Sequence, residues 1–469
     1  MSAADRFEQY IEHLAAGLGH ADRHAGLKGY CTGLMLPLSR KSVEPMAASV
    51  DPLRASARHQ ALHHFVAQAN WSDEQMLRRV AQWVVPRMQG AAQGFWIVDD
   101  TGFPKKGKHS VGVTRQYCGQ LGKQDNCQVA VSVSLATEAT SLPVAYRLYL
   151  PKEWAEDRVR RAKAGVPSEV RFATKGHIAL GQLERLLLAG APQLCVLADA
   201  AYGVEAGFRL RLSELGLPYM VGIISSVNVW PPGLDPLPPK RHRGRGRPPL
   251  APRRSRDHQP VSVKALAQSL PSSALHRLSW REGTNATLSG RFAAVRVRHA
   301  GGNLGRARLW PQQWLLIEWP PEEPEPTNYW LSTLPEHTPI NELVAAAKMR
   351  WRIERDYQEL KQELGLGHYE GRGWRGFHHH ATLTIAAYGF LIAERLATGK
   401  SAAAKKNSII RKVPALPRNY IPRGSPARTA THARLHRHTT PSAQRPTGRP
   451  RSALPALRSP KRKPRLVTQ

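Results

Sequence analysis

Three acids in this chain are placed to hold metal beside phosphate. Phe95-Trp96-Ile97-Val98 reads as a buried strand running into Asp99-Asp100-Thr101-Gly102, and Leu194-Cys195-Val196-Leu197-Ala198 does the same into Asp199. Glu354 lies in Arg350-Trp351-Arg352-Ile353-Glu354-Arg355-Asp356-Tyr357-Gln358-Glu359-Leu360-Lys361, four residues after one cation and seven before another. At about 3.6 residues per turn those three share one helical face. Each feature alone has a plainer reading: a strand-end Asp as turn former or helix N-cap, the helix as a solvated face laced with i,i+4 ion pairs. Together they offer hard oxygen donors on rigid supports. Such a set suits a pair of Mg²⁺ ions about 3.5 to 4 Å apart, one activating an attacking oxygen and the other stabilising the leaving one. Successive strand residues face opposite sides of a sheet, so only one of Asp99 and Asp100 can turn toward Asp199.

These residues resemble the DDE transposases of bacterial insertion sequences. The matching pieces are Asp100-Thr101 after a first strand, Leu197-Ala198-Asp199 after a later one, and Arg350-Trp351-Arg352-Ile353-Glu354 with Lys361. The last fits the branch whose signature is Tyr, two residues, Arg, three residues, Glu, six residues, Lys, except that Ala347 stands at the Tyr position. The likeness spans residues 90 to 395 and implies an α/β (α+β) protein with an RNase H-like catalytic core. It implies Asp100, Asp199 and Glu354 as catalytic metal ligands, with Asp99 the alternative first acid, Mg²⁺ as cofactor and Mn²⁺ able to replace it. It further implies Arg350 and Lys361 on phosphates of the transposon end, and Trp330 stacked on a flipped base. The expected reaction is cut-and-paste transposition by hydrolysis and strand transfer, on transposon ends and target DNA, in a DNA-assembled dimer. The competing readings are an RNase H-like nuclease that cuts without joining and an inactive DNA-binding derivative.

The elements that must position these acids follow from shifts in texture. Residues 1–90 read as a helical domain, a candidate grip on the DNA end: Phe7, Tyr10, Ile11 and Leu14 recur at helical spacing, and Ser72-Asp73-Glu74-Gln75 resembles a capping box. Residues 91–215 hold the first part of the core. After the Asp100 strand comes the basic loop Lys105-Lys106-Gly107-Lys108, where Lys105, Lys106 and Lys108 face the proposed metals' DNA. Strands then follow over Cys127–Ala136 and Leu142–Leu150, and a helix over His177–Leu188. The RNase H-like arrangement makes the first and fourth strands neighbours, which would bring Asp100 to Asp199. The span from Asp199 to Glu354 is too long for a loop, so 216–335 reads as a mainly β insertion, with strand-like pieces at 219–224, 291–297, 313–319 and 329–333. Within it a basic Pro/Arg-rich linker covers 231–260. There Arg245-Gly246-Arg247-Pro248 has the shape of an AT-hook core, with Arg245 and Arg247 entering a minor groove; a plain basic linker is the alternative. Residues 336–400 return to the core with the Glu354 helix and a buried apolar helix over Ala381–Ala393. Residues 401–469 read as a basic, disordered tail.

Composition bounds the rest. The chain has 469 residues, 41% of them apolar, and a formal charge of +33, a balance that calls for a polyanionic partner and salt-sensitive binding. No apolar run is long enough to span a bilayer and no leader pattern opens the chain, so a cytoplasmic, nucleoid-associated bacterial protein with no membrane partner is expected. Cys31, Cys118, Cys127 and Cys195 form no paired motif and read as reduced, buried thiols. His378-His379-His380 cannot all face one ion from a helix.

Overall fold

The computed structural model describes residues 2–241, 244, 252–282, 287–301 and 309–398. Arg245, Arg247 and the tail from 401 lie outside the described residues. Five helices open the chain: α1 (Ala3–Ala15), α2 (Arg23–Met35), α3 (Val43–Val50), α4 (Ala55–Ala67) and α5 (Asp73–Val84). α1 begins at a reciprocal capping box between Ser2 and Asp5, and α5 at Ser72, whose hydroxyl accepts from Gln75 N. Phe7, Tyr10, Ile11 and Leu14 are buried, as their spacing implies.

The core follows as β1 (Phe95–Pro104), β2 (Thr114–Cys118), β3 (Lys123–Ala136), β4 (Ser141–Leu148), α6 (Lys152–Glu156), α7 (Arg158–Ala164), α8 (Lys175–Leu188), β5 (Cys195–Ala198), α9 (Ala200–Gly203), α10 (Ala206–Glu214) and β6 (Tyr219–Ile223). β4, β3, β1, β5 and β6 lie side by side in that order. β1 is antiparallel to β3 and β3 to β4, whereas β1 and β5, and β5 and β6, run parallel. Three antiparallel strands joined to two parallel ones, with the first strand central, is the RNase H-like order. β3 is buried on both faces from Cys127 to Ala136, a run made mostly of valine and small residues.

The segment between the second acid and the third supplies β7 (Asn228–Trp230), β8 (Val261–Ser262), α11 (Val263–Ser269), β9 (His276–Glu282), β10 (Thr287–His299), β11 (Gln312–Glu318) and β12 (Asn328–Ser332). It is mainly β, and it continues the core sheet: β12 pairs antiparallel with β6, β11 with β12 and β10 with β11. One twelve-stranded sheet results among the described residues.

The chain returns as α12 (Ile340–Met349), α13 (Trp351–Gln358), a π-turn over Glu359–Glu363, and α14 (Trp374–Ala397). α14 is buried all round from Phe377 to Ala393, and the N-terminal helices pack directly on it. Arg6 pairs with Glu394 at 2.5 Å and Tyr10 Oη donates to Ala386 O at 2.8 Å. Among the described residues no helix is long and apolar enough to cross a membrane. The four cysteines are free and buried.

Candidate active site

Val98 of β1 pairs with Ala198 of the parallel β5, so Asp99, within β1, and Asp199, just past the end of β5, stand at one level and on one face. Asp199 keeps an extended backbone (φ −78°, ψ −177°), and its Oδ1 accepts from Ala201 N at 3.0 Å, capping α9. The plain reading of a strand-end aspartate is thus true of Asp199 and does not remove it from the site. α9 can lie against β6 because Gly203 has no side chain; a Cβ there would meet the Gly222 carbonyl oxygen at 2.0 Å.

The helix carrying the third acid covers the same face. Tyr357 Oη of α13 lies 2.7 Å from Ser132 Oγ, and Ser132 pairs with Asp99 across β1 and β3. Arg350, at the break between α12 and α13, then joins two acids: Nη1 donates to Asp99 Oδ2 at 3.0 Å and Nη2 to Glu354 Oε1 at 2.7 Å. Asp100 turns to the opposite face. There it accepts from Lys175 Nζ of α8 at 2.8 Å and Tyr202 Oη of α9 at 3.3 Å. The motif favours Asp100 as the first acid, while the geometry links Asp99 to Glu354.

Burial pushes the Asp99 carboxyl up to about 7, the Arg350 guanidinium opposing it and the neighbouring Asp199 and Asp100 adding to it. Asp199 is raised too, by burial first, with Arg350 again opposing and Asp100 adding. Crowded carboxylates that raise one another are relieved by a cation. Glu354, 63% exposed, brings a carboxylate from a third element to the other side of Arg350. Among the described residues no three His, Cys, Asp or Glu side chains are grouped to hold a metal ion, and the Arg350 guanidinium bonds both Asp99 and Glu354. Carboxylate oxygens are the donors that a hard divalent cation takes.

Among the described residues the remaining sequence candidates make no bond to these acids. Lys361 Nζ donates to Gly102 O at 2.8 Å and Gln120 Oε1 at 3.1 Å, and burial lowers it to about 8. Lys105 Nζ donates to Tyr369 O at 2.8 Å, whereas Lys106 and Lys108 are exposed. Trp330 is half-buried on β12, with the Lys348 ammonium 5.5 Å from its ring centroid. Lys348 also sits 4.6 Å from the Trp280 ring and pairs with Glu318 at 2.6 Å. Lys175 and Lys348 escaped the sequence reading. Thr174, the N-cap of α8, marks where Lys175 stands, but nothing local says that this helix start faces Asp100.

Comparison with known proteins identifies the family. A family model described as DDE superfamily endonuclease matches residues 13–287. The chain is 33% identical over 199 residues to the probable transposase for insertion sequence element IS701 of Microchaete diplosiphon, a match covering 42% of this chain and 48% of that protein. The chain therefore spans about half the length of this curated relative. Among solved structures, it aligns with the piggyBac transposase synaptic complex with hairpin DNA at a TM-score of 0.43 and 10% identity, over 86% of this chain and 70% of the other.

Proposed function

Because the chain belongs to the DDE superfamily endonucleases, we propose that it is the transposase of an insertion sequence, cutting and rejoining DNA at transposon ends. The observation that carries the reading is the Arg350 bridge, which ties Asp99 on β1 to Glu354 on α13 at the edge where Asp199 also emerges. Asp99, Asp199 and Glu354 form the acid set, with Asp100 a positioning residue that holds Lys175 and Tyr202. Mg²⁺, or Mn²⁺ in its place, would be held by these three carboxylates and would supply activation of the attacking oxygen and stabilisation of the leaving one.

The protein's own part is orientation. Asp99 and Asp199 are fixed by the sheet, and Glu354 arrives on a helix anchored by the Tyr357–Ser132 bond. Arg350, released from the acids, is the nearest guanidinium for a DNA phosphate, which it can grip in bidentate fashion. Lys361 guards the other end of β1, and Lys106 and Lys108 offer exposed ammonium groups to the backbone. Two copies, each holding one transposon end, would make the active complex.

The test is incubation of a labelled transposon end with and without Mg²⁺ or Mn²⁺, comparing Asp99→Asn, Asp100→Asn and Glu354→Ala. Cleavage with joining is expected, lost at least ~10³-fold in Asp99→Asn and Glu354→Ala if each ligand supports several kcal/mol of stabilisation, and largely kept in Asp100→Asn. The reverse order of the two aspartates would return the first position to Asp100. Cleavage without joining points to a nuclease, and binding without cleavage to an inactive derivative.

A further inference from the structure

The hairpin of β2 and β3 has no part in the chemistry above, yet it is pinned to the site from two sides. Lys361, seven residues after Glu354, reaches both the β1 carbonyl of Gly102 and the side chain of Gln120 in the hairpin turn. On the strand side, Gly102 lies under Cys118: a Cβ there would meet Cys118 Sγ at 2.8 Å. The hairpin end therefore rests on β1 two to three residues beyond Asp99 and Asp100.

Its inner face is fixed. Cys118, Cys127 and Val129 form a buried cluster against Tyr149, and Gln116 Nε2 donates to Cys127 O at 3.1 Å. The turn is tight, with Leu121 N and Gly122 N both donating to Cys118 O at 2.9 and 3.0 Å, and Gly122 at φ 64° supplies the left-handed backbone. The outer face is different in kind. Alternation along β2 leaves Arg115 and Tyr117 outward, opposite Asn126 and Gln124. Tyr117 is 58% exposed and Leu121 41% exposed, although both sit on a braced element. Lys123 ends the turn, 3.4 Å from the Asp125 carboxylate, and the exposed Lys106 and Lys108 follow β1 on the same rim.

We infer that this hairpin is a nucleic-acid contact, in which Tyr117 stacks on a base left unpaired where DNA enters the site and Arg115 binds an adjacent phosphate. An exposed ring interleaved with cations and amides on a rigid support is the pattern that tracks single-stranded nucleic acid. An acidic or apolar protein partner would not need the ring beside acids that act on phosphate. The inference rests on the DNA reading proposed above. It differs from that reading in assigning the stacking of an unpaired base, not cleavage, to a named side chain.

The experiment measures binding of the full chain to two probes, a labelled duplex of arbitrary sequence and the same duplex with its last base pairs mismatched. The wild type is expected to favour the frayed probe. Tyr117→Ala should lose that preference by roughly 5- to 100-fold, the range for removing one base–aromatic stack, while binding the paired duplex as before. Tyr117→Trp should keep it. If Tyr117→Ala retains the wild-type preference, or loses affinity for both probes alike, the inference is wrong and the DNA reading survives. If the wild type binds neither probe, the DNA reading itself fails and this inference goes with it.

Discussion

Arg350 holds two carboxylates with one guanidinium, the fork of its nitrogens giving one donor to each. An ammonium at the same position is a point charge without that planar fork, so it holds the two carboxylates, or a DNA phosphate in their place, in a less defined geometry. Arg350→Lys is therefore expected to keep the fold and lower metal-dependent cleavage by roughly 10- to 100-fold, as losses around metal ligands commonly do. Rates measured at limiting and at saturating Mn²⁺ check this; an unchanged rate at both would deny the bridge a role in setting the acids. At this scale the spacing of Glu354 from Arg350 and Lys361 set it apart in the sequence, and the Arg350 bridge falls on that same residue. Between Asp99 and Asp100 the motif favoured Asp100, the acid directly before Thr101, whereas the Arg350 bridge falls on Asp99. Alternation says the two point apart, but which of them meets the third acid depends on the face that α13 covers. That is decided by Tyr357 against Ser132, a pairing of residues 225 positions apart.

Among the elements, strands and helices with strong periodicity were legible: Cys127–Ala136 lies within β3, His177–Leu188 within α8 and Ala381–Ala393 within α14. The segment from Arg350 to Lys361 was read as one regular helix, and the structure breaks it twice. α12 stops at Met349 and α13 begins after Arg350, while the π-turn at Glu359–Glu363 redirects Lys361 toward β1. No local propensity announces either break, because both answer to docking on the sheet. The histidine triplet shows the opposite case. On α14 the three rings point apart, as helical geometry demands, and each finds its own partner. His378 Nε2 accepts from Leu148 N, His379 lies between the carbonyls of Val66 and Trp71, and His380 Nε2 donates to Gly365 O while Nδ1 faces Tyr30 Oη at 2.9 Å. Burial lowers His380 to about 4, against an ordinary 6.5, so the folded protein prefers it neutral. The unfolded chain takes up a proton first as pH falls below 6.5, and stability present above that point is lost on the way to about 4. At about pH 5 the loss from His380 alone should be on the order of 2 kcal/mol. His380→Gln, whose amide can donate to Gly365 and accept from Tyr30, is expected to flatten that slope. Denaturant midpoints for both proteins across this range decide it, and parallel slopes would exclude His380 as the source.

For the whole molecule, the order of acids and the mainly β character of the long intervening segment were readable, but its place was not. Nothing in residues 216–335 says that β12 pairs with β6 and so extends the core sheet, since strand partners this distant in sequence are chosen by edges that only the folded core presents. Charge, in contrast, is fully written in the composition. Of the net +33, 17 positive charges lie in residues 401–469, which contain no acid, whereas every acid and every rim cation assigned to cleavage lies between positions 99 and 361. Affinity and chemistry should therefore separate. A chain ending at residue 400 carries +16. It should bind arbitrary duplex DNA more weakly, and its log–log salt dependence should flatten by about 0.9 for each phosphate no longer neutralised. Cleavage at saturating DNA should be unchanged, so that KM rises while kcat holds. Binding titrations across a salt series, run beside single-turnover cleavage, test both halves of the statement. An unaltered slope would mean that the terminal charges do not touch DNA, and a fall in the single-turnover rate would mean that residues beyond 400 help to set the acids.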